Sequence, residues 1–467
     1  MYHALCIITL CLVAAASAFA GEPAAKPNII FILADDLGYA DLGCYGQDKI
    51  KTPNIDRLAS EGARFTQFYA GSTVCAPSRC ALLTGKHMGH SHIRDNAELK
   101  TEGQRPLPEN TVTLATVLKK AGYVTGACGK WGLGGAESSG APNKQGFDFF
   151  YGYICQRVAH NFYPTHLWRN ETKEFLDGNV PGNVVGKVYA HDLIAEEGLK
   201  FIRANKDKPF FLYLPYTIPH LALQVPDDSL SEYKEKFAET PYNGKNGYLP
   251  HPTPRAAYAA MVSRMDRDVG RVLALLKELN LDENTLVMFS SDNGPAFKIG
   301  GADSAFFKSA GSFRGLKTDL YEGGIRVPLL ARWPGRIQPG TLATHVCASW
   351  DILPTIAEIT GAQAPENLAG ISFTPTLFSQ QGQKQHNHLY WEYHAKGGSQ
   401  AVRMGKWKGV RMKVKSNPNG PIELYNLEND EGETKDVAAD NPEIVKQMAQ
   451  IMAQRERSVY PDWNFEK

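Results

Sequence analysis

Short runs of uninterrupted apolar residues in this chain end abruptly at polar residues of catalytic type, and the pattern recurs. Residues 29–34 stop at Asp35 and Asp36, 123–128 stop at Gly129 and Lys130, 210–214 lead to His220, and 286–289 lead to Asp292 and Asn293. Runs without alternation suit strands covered on both faces. Helical patterns lie between them at 54–61, 77–84, 113–121, 190–205 and 256–279, with Gly122 stopping the third. This alternation predicts an α/β sandwich built on a large, mostly parallel sheet flanked by helices. The ligand crevice of such a sheet opens at the carboxyl ends of its strands, so all four polar sets are expected on one edge.

After Pro354 the character changes. A Gly/Gln-rich stretch at 379–385 precedes strand-like segments at 389–393, 401–404, 407–410 and 423–425 and a helical one at 442–455. These predict a smaller antiparallel α+β subdomain. The expected division is a signal peptide at 1–20, a catalytic unit at 21–382 and a C-terminal subdomain at 383–467. The segment 226–254, rich in Pro, Gly and Tyr, reads as an insertion near the site. No internal repeat is visible.

Composition adds limits. With 467 residues, 43% apolar and 21% charged, the chain has ordinary globular composition and length for a large core. Lys and Arg number 50 against 49 Asp and Glu, so no general attraction to nucleic acid or an anionic membrane is expected and any anion recognition is local. The apolar run at 4–20, ending Ala18, Phe19, Ala20 before Gly21, matches a secretory leader, which implies an exported protein, periplasmic or secreted. No later stretch is apolar enough to span a bilayer, so no stable membrane anchor is expected. Of eight cysteines, Cys6 and Cys11 fall in the leader, and the other six show neither a disulfide framework nor a metal-binding spacing.

The densest chemistry sits at Cys75, Ala76, Pro77, Ser78, Arg79, followed by Ala81, Leu82, Leu83, Thr84 and Gly85. Pro77 suits a first helical turn and Gly85 the left-handed residue past a helix end. Cys75 is thus expected in the field of a helix N-terminus, which attracts anions and lowers a thiol's pKa, with Arg79 adding fixed positive charge. Asp35, Asp36, Asp292 and Asn293 are hard oxygen donors, the set for Ca²⁺ or Mg²⁺ rather than zinc. An Asp pair after a strand is by itself a common turn or cap; a second acidic strand end argues against that reading.

The Cys-x-Pro-Ser-Arg pattern with its Ala-Leu-Leu-Thr-Gly continuation resembles the signature of the formylglycine-dependent sulfatases, members of the alkaline-phosphatase-like superfamily, and further family-like stretches run from Pro27 to about Leu377. The resemblance implies that Cys75 is oxidised to formylglycine by a formylglycine-generating enzyme. It implies that Asp35, Asp36, Asp292 and Asn293, with the modified residue 75, bind Ca²⁺ in preference to Mg²⁺. Arg79, Lys130 in Gly129-Lys130-Trp131, and Lys317 in Arg314-Gly315-Leu316-Lys317 match residues that grip the sulfate. His220 matches the general acid beside the leaving oxygen. In the mechanism so implied, one hydroxyl of the hydrated aldehyde attacks sulfur and the other collapses to expel sulfate.

One departure stands out. Many sulfatases have Gly-Lys-Trp-His-Leu-Gly where this chain has Gly132 in place of the histidine, which leaves the release step without an identified base. His87, His90, His92, His160 and His166 are the candidates. The Gly132 variant, together with the Cys155-Gln156-Arg157-Val158-Ala159-His160 segment, resembles bacterial secreted sulfatases of polysaccharides such as sulfated galactans. Arg157, His160 and His166 are accordingly expected to bind a sulfated carbohydrate. Three rival readings stand beside this one: a formylglycine-dependent phosphodiesterase or phosphonate monoester hydrolase, a phosphatase or transferase of the wider superfamily, and a sulfated-glycan-binding protein that has lost catalysis.

Overall fold

The computed structural model describes residues 26–245 and 247–466; the expected leader at 1–20 lies outside them. The first apolar run forms strand β1 (Asn28–Ala34), and the chain then supplies β2 (Ala63–Phe65), β3 (Val124–Lys130), β4 (Phe149–Tyr153), β5 (His166–Arg169), β6 (Thr172–Phe175), β7 (Phe210–Pro215), β8 (Thr285–Ser291), β9 (Leu329–Arg332) and β10 (Thr341–Ala343). They make one ten-stranded sheet in the order β10-β2-β9-β8-β1-β7-β3-β4-β5-β6. Strands β8, β1, β7, β3 and β4 are mutually parallel, while β9 pairs antiparallel to both β8 and β2, and β5 and β6 close the far edge antiparallel. The expected mixed, mostly parallel sheet is present.

Strand β1 shows why its sequence is apolar at every position. Ile30, Ile32 and Ala34 pack into one core with α1 (Pro53–Ser60), α4 (Ala190–Ala204) and α5 (Pro254–Glu278). Ile29, Phe31 and Leu33 pack into a second core with α2 (Cys75–Thr84), α3 (Leu114–Lys120) and α6 (Ile352–Thr360). Alternate side chains of a strand face opposite sides, so helices on both faces require apolar residues at odd and even positions alike.

A four-stranded antiparallel sheet follows, β11 (Leu389–Tyr393), β12 (Ser399–Met404), β13 (Trp407–Met412) and β14 (Ile422–Asn426), with α7 (Pro442–Ala453) against it. It is joined to the large sheet's surroundings by buried polar links. Trp391 Nε1 donates to Ala70 O at 2.9 Å, Arg94 Nη1 to Glu392 Oε1 at 2.8 Å, and Lys408 Nζ lies 2.9 Å from Glu322 Oε1.

Candidate active site

Helix α2 begins two residues earlier than its sequence pattern suggests, so Cys75 is its first residue and Gly85, at φ +66°, closes it. The helix N-terminus faces the carboxyl ends of β1, β3 and β8. Asp35 and Asp36 leave β1 together. Successive strand residues would point to opposite faces, but Asp36 has φ +64°, and this left-handed turn, which aspartate tolerates, lets both carboxylates meet at one centre. The ligand atoms of Asp35, Asp36, Cys75 and His220 all lie within 4.8 Å of one another. Lys130, expected just past a strand, is the last residue of β3.

Three cations are threaded through these acids. Arg79 donates through Nε (3.0 Å) and Nη2 (2.8 Å) to Asp292 Oδ2, and through Nη1 to the Lys130 carbonyl at 2.8 Å. Lys130 Nζ reaches Asp35 Oδ2 at 2.7 Å. Lys317 Nζ lies 2.7 Å from Asp36 Oδ1, 3.4 Å from Cys75 Sγ and 3.2 Å from His220 Nε2. Asn293 Nδ2 donates to Asp36 Oδ1 at 2.8 Å. All nine expected catalytic and metal residues thus lie in one buried network.

Electrostatics here differ from the sequence expectation at one point. Burial pushes the Cys75 thiol up to about 12, although Lys130 and Lys317 pull the other way. The expected lowering by the helix N-terminus is therefore overturned: the helix end is covered, and removing a thiolate from water outweighs the favourable charges. Burial also raises Asp292, helped by the Asp35 charge. Asp35 is likewise opposed by burial, yet the cations Lys130 and Arg79 hold it well below the usual carboxylate range.

The donor set fits a hard divalent cation. Asn293 Oδ1 is buried without any hydrogen-bond partner, while its Nδ2 is spent on Asp36 and on Gly294 O. A bare carboxamide oxygen beside converging carboxylates costs free energy that a cation would offset. The converging donors are mostly oxygens, from Asp35, Asp36, Asp292 and Asn293, with the Cys75 sulfur and the His220 ring nitrogen beside them, and such an oxygen-rich set suits Ca²⁺ or Mg²⁺.

His220 and His160 stack face to face. His220 Nδ1 donates to Leu221 O at 2.5 Å, which leaves Nε2 to accept from Lys317. Tyr248, from the segment expected to lie near the site, leans on both imidazoles, with centroids 5.5 Å from His160 and 6.3 Å from His220. Sequence reasoning did not single it out. The other expected substrate residues make different contacts: Arg157 pairs with Glu98 at 2.6 Å, and His166 Nε2 with Glu102 Oε1 at 3.0 Å. His87, His90 and His92 lie beyond the C-terminal end of α2, a helix of ten residues and so roughly 15 Å long. There His87 packs on Trp350 and Tyr390, His90 pairs with Glu456 and His92 with Tyr460. None of the three contacts Cys75.

A thiol at a helix N-terminus, converging carboxylates and three cations meet at the carboxyl ends of the parallel strands, an arrangement with the chemistry to hold a tetrahedral oxyanion. The chain belongs to the sulfatase family and is a sulfuric ester hydrolase: residues 27–362 match the Sulfatase family model and residues 316–458 that of the N-sulphoglucosamine sulphohydrolase C-terminal region. It is 33% identical to human arylsulfatase A, covering 92% of this chain and 87% of that protein. It is 28% identical to the N-acetylgalactosamine-6-O-sulfatase of Bacteroides thetaiotaomicron, covering 92% and 93%. The crystal structure of Ps i-CgsB in complex with k-i-k-neocarrahexaose superposes with a TM-score of 0.77 at 31% identity, covering 93% of this chain and 94% of that one. Among the described residues no helix is long and apolar enough to cross a membrane.

Proposed function

We propose that this hydrolase removes sulfate from a sulfated carbohydrate, in particular a galactose-type unit of a polysaccharide, through a formylglycine made from Cys75 and with the help of Ca²⁺. The observation that carries the reading is residue 75 itself. It is buried at a helix N-terminus among Lys317, Lys130 and three aspartates. That surrounding makes chemical sense for an oxygen nucleophile produced from the cysteine by a formylglycine-generating enzyme.

Asp35, Asp36, Asp292 and Asn293 would hold the cation. Bound there, it supplies Lewis-acid polarisation of a sulfate oxygen and of the residue-75 oxygen. Arg79, Lys130 and Lys317 bring three positive charges to the sulfate oxygens, where charge builds during S–O cleavage. His220, with Nδ1 tied to Leu221 O, presents Nε2 to the leaving oxygen. Lys317 Nζ, 3.2 Å from that nitrogen, adds positive charge beside the leaving oxygen. His160 and Tyr248 give a flat, neutral wall suited to a sugar ring. The sugar chemistry of two similar proteins, an N-acetylgalactosamine-6-O-sulfatase and one solved in complex with a neocarrahexaose, supports the substrate class.

The division at about residue 383 assigns this chemistry to 21–382, with 383–467 as a buttress behind α2; the leader at 1–20 directs export to the periplasm or medium. The test is peptide mass spectrometry of residue 75 combined with a screen of defined sulfated mono- and oligosaccharides. Active protein should carry an aldehyde at residue 75 and lose activity with chelator. A plain thiol in fully active protein, or activity on aryl sulfates but on no sulfated sugar, would refute the respective half of the reading.

A further inference from the structure

Residue 132 carries no side chain in a place that another residue's side chain already fills. Gly132 has φ +80°, and a Cβ built on it would lie 2.8 Å from Cγ of Gln156, well inside contact distance. Gln156 is buried, and its Nε2 donates to Asn96 Oδ1 at 2.9 Å and to Gln104 Oε1 at 3.4 Å. Asn96 Oδ1 also accepts the backbone N–H of Ala76 at 3.1 Å. Ala76 follows Cys75 in the first turn of α2, and Val74, at the N-cap, offers no side-chain hydrogen bond.

First-turn N–H groups have no partner within their own helix, and here an acceptor comes from a loop twenty residues further on. Only one orientation of the Asn96 carboxamide works. Flipped, its NH₂ would face two donors, the Ala76 N–H and the Gln156 NH₂. Gln156 therefore fixes which end of Asn96 meets the helix, and the absence of a side chain at residue 132 makes room for Gln156.

We propose that Asn96 and Gln156 are positioning residues that set the orientation of residue 75 through the Ala76 peptide, and that Gly132 is required to seat Gln156. Carboxamides exchange no protons near neutral pH, so this trio holds geometry and supplies no base. Being neutral, Asn96 caps the helix without cancelling its positive end. The inference rests on residue 75 being the nucleophile precursor.

The test measures kcat and KM for 4-nitrophenyl sulfate, normalised to the fraction of residue 75 modified by mass, with Tm alongside. Asn96 is exposed and Gln156 lies between strands, so Asn96→Ala and Gln156→Ala should fold. Each is expected to lower kcat per modified site by about fivefold to tenfold, the loss of one hydrogen bond, with KM within about twofold. Asn96→Asp keeps the acceptor and adds an anion, so it should restore kcat and raise KM. Gly132→Ala should match Gln156→Ala, and the double variant should fall no further. Wild-type kcat in both alanine variants, no rescue by Asn96→Asp, or a loss explained wholly by unmodified cysteine would overturn the proposal. An inactive, fully modified wild type would instead refute the catalytic reading of residue 75.

Discussion

The imidazoles of His160 and His220 lie 4.6 Å apart, 12° from parallel. Burial, then the neighbouring His220 and the cations Lys130 and Lys317, press His160 down to about 2, and burial with Lys317 holds His220 well below its ordinary value. Two charged rings cannot stack in a buried site, so His160 serves as the neutral face against which His220 keeps its orientation.

That arrangement makes the role of His220 testable through the leaving group. A sugar alkoxide needs a proton to depart and 4-nitrophenolate does not. His220→Ala is expected to cut kcat/KM for sulfated sugars by about 10²–10⁴, the usual worth of a general acid, and to cost far less on 4-nitrophenyl sulfate. His160→Ala should act in the same sense but more weakly. Equal losses on both substrates would assign His220 to sulfate binding instead.

Tyr248 offers a second readout. Burial raises its phenol, so the hydroxyl stays neutral, and the ring covers both histidines. Tyr248→Ala is expected to raise KM for a sulfated oligosaccharide by about tenfold, roughly one stacking contact, while leaving kcat on 4-nitrophenyl sulfate within about twofold. Steady-state kinetics on the two substrates decides it.

Much of this site was legible because strand ends are. An apolar run must stop where the strand leaves the core, and Asp35, Asp36, Asp292 and Asn293 stand at those stops; Lys130 falls one step inside. What tertiary cover alone decides was not legible. The Cys75 thiol was expected to be acidic, and burial of the helix end reverses that. His87, His90 and His92 are near Cys75 in sequence, but a helix separates them in space. The Gln156–Asn96 contact joins residues 60 apart, and no local pattern announces it.

The cation cradle predicts a metal-dependent stability. A ligand at about one hundred times its Kd stabilises by about 2.7 kcal/mol, so Ca²⁺ is expected to raise Tm by several degrees and chelator to reverse it. Asn293→Ala removes the unpartnered oxygen and should weaken Ca²⁺ binding measured by calorimetry. It also removes the Nδ2 bonds to Asp36 and Gly294 O, so the metal-free Tm should fall as well and the readout is the smaller rise in Tm that Ca²⁺ produces. A Tm indifferent to Ca²⁺ in the wild type would remove these four residues from the metal site.

A separate buried acid governs how the C-terminal sheet is held. Glu392 on β11 accepts from Arg94 at 2.8 Å and Arg455 at 2.6 Å, with His394 at 3.0 Å and Tyr390 Oη at 2.7 Å. Burial opposes its charge, but the His394 hydrogen bond, Arg94 and Arg455 pull it down to about 2 from an ordinary 4.5. An acid whose pKa is depressed on folding stabilises above its unfolded pKa and loses that contribution as pH falls through the folded one. The shift corresponds to roughly 3 kcal/mol, present at neutral pH and lost between about pH 4.5 and 2. Acid unfolding followed by tryptophan fluorescence should therefore steepen in that window. Glu392→Gln leaves Arg94 and Arg455 without their carboxylate and should destabilise by about 3–5 kcal/mol at pH 7, with a much flatter acid limb. Because Arg94 lies in the loop that also carries Asn96, activity in this variant should fall before global unfolding. An acid profile unchanged by Glu392→Gln would locate the pH sensitivity elsewhere.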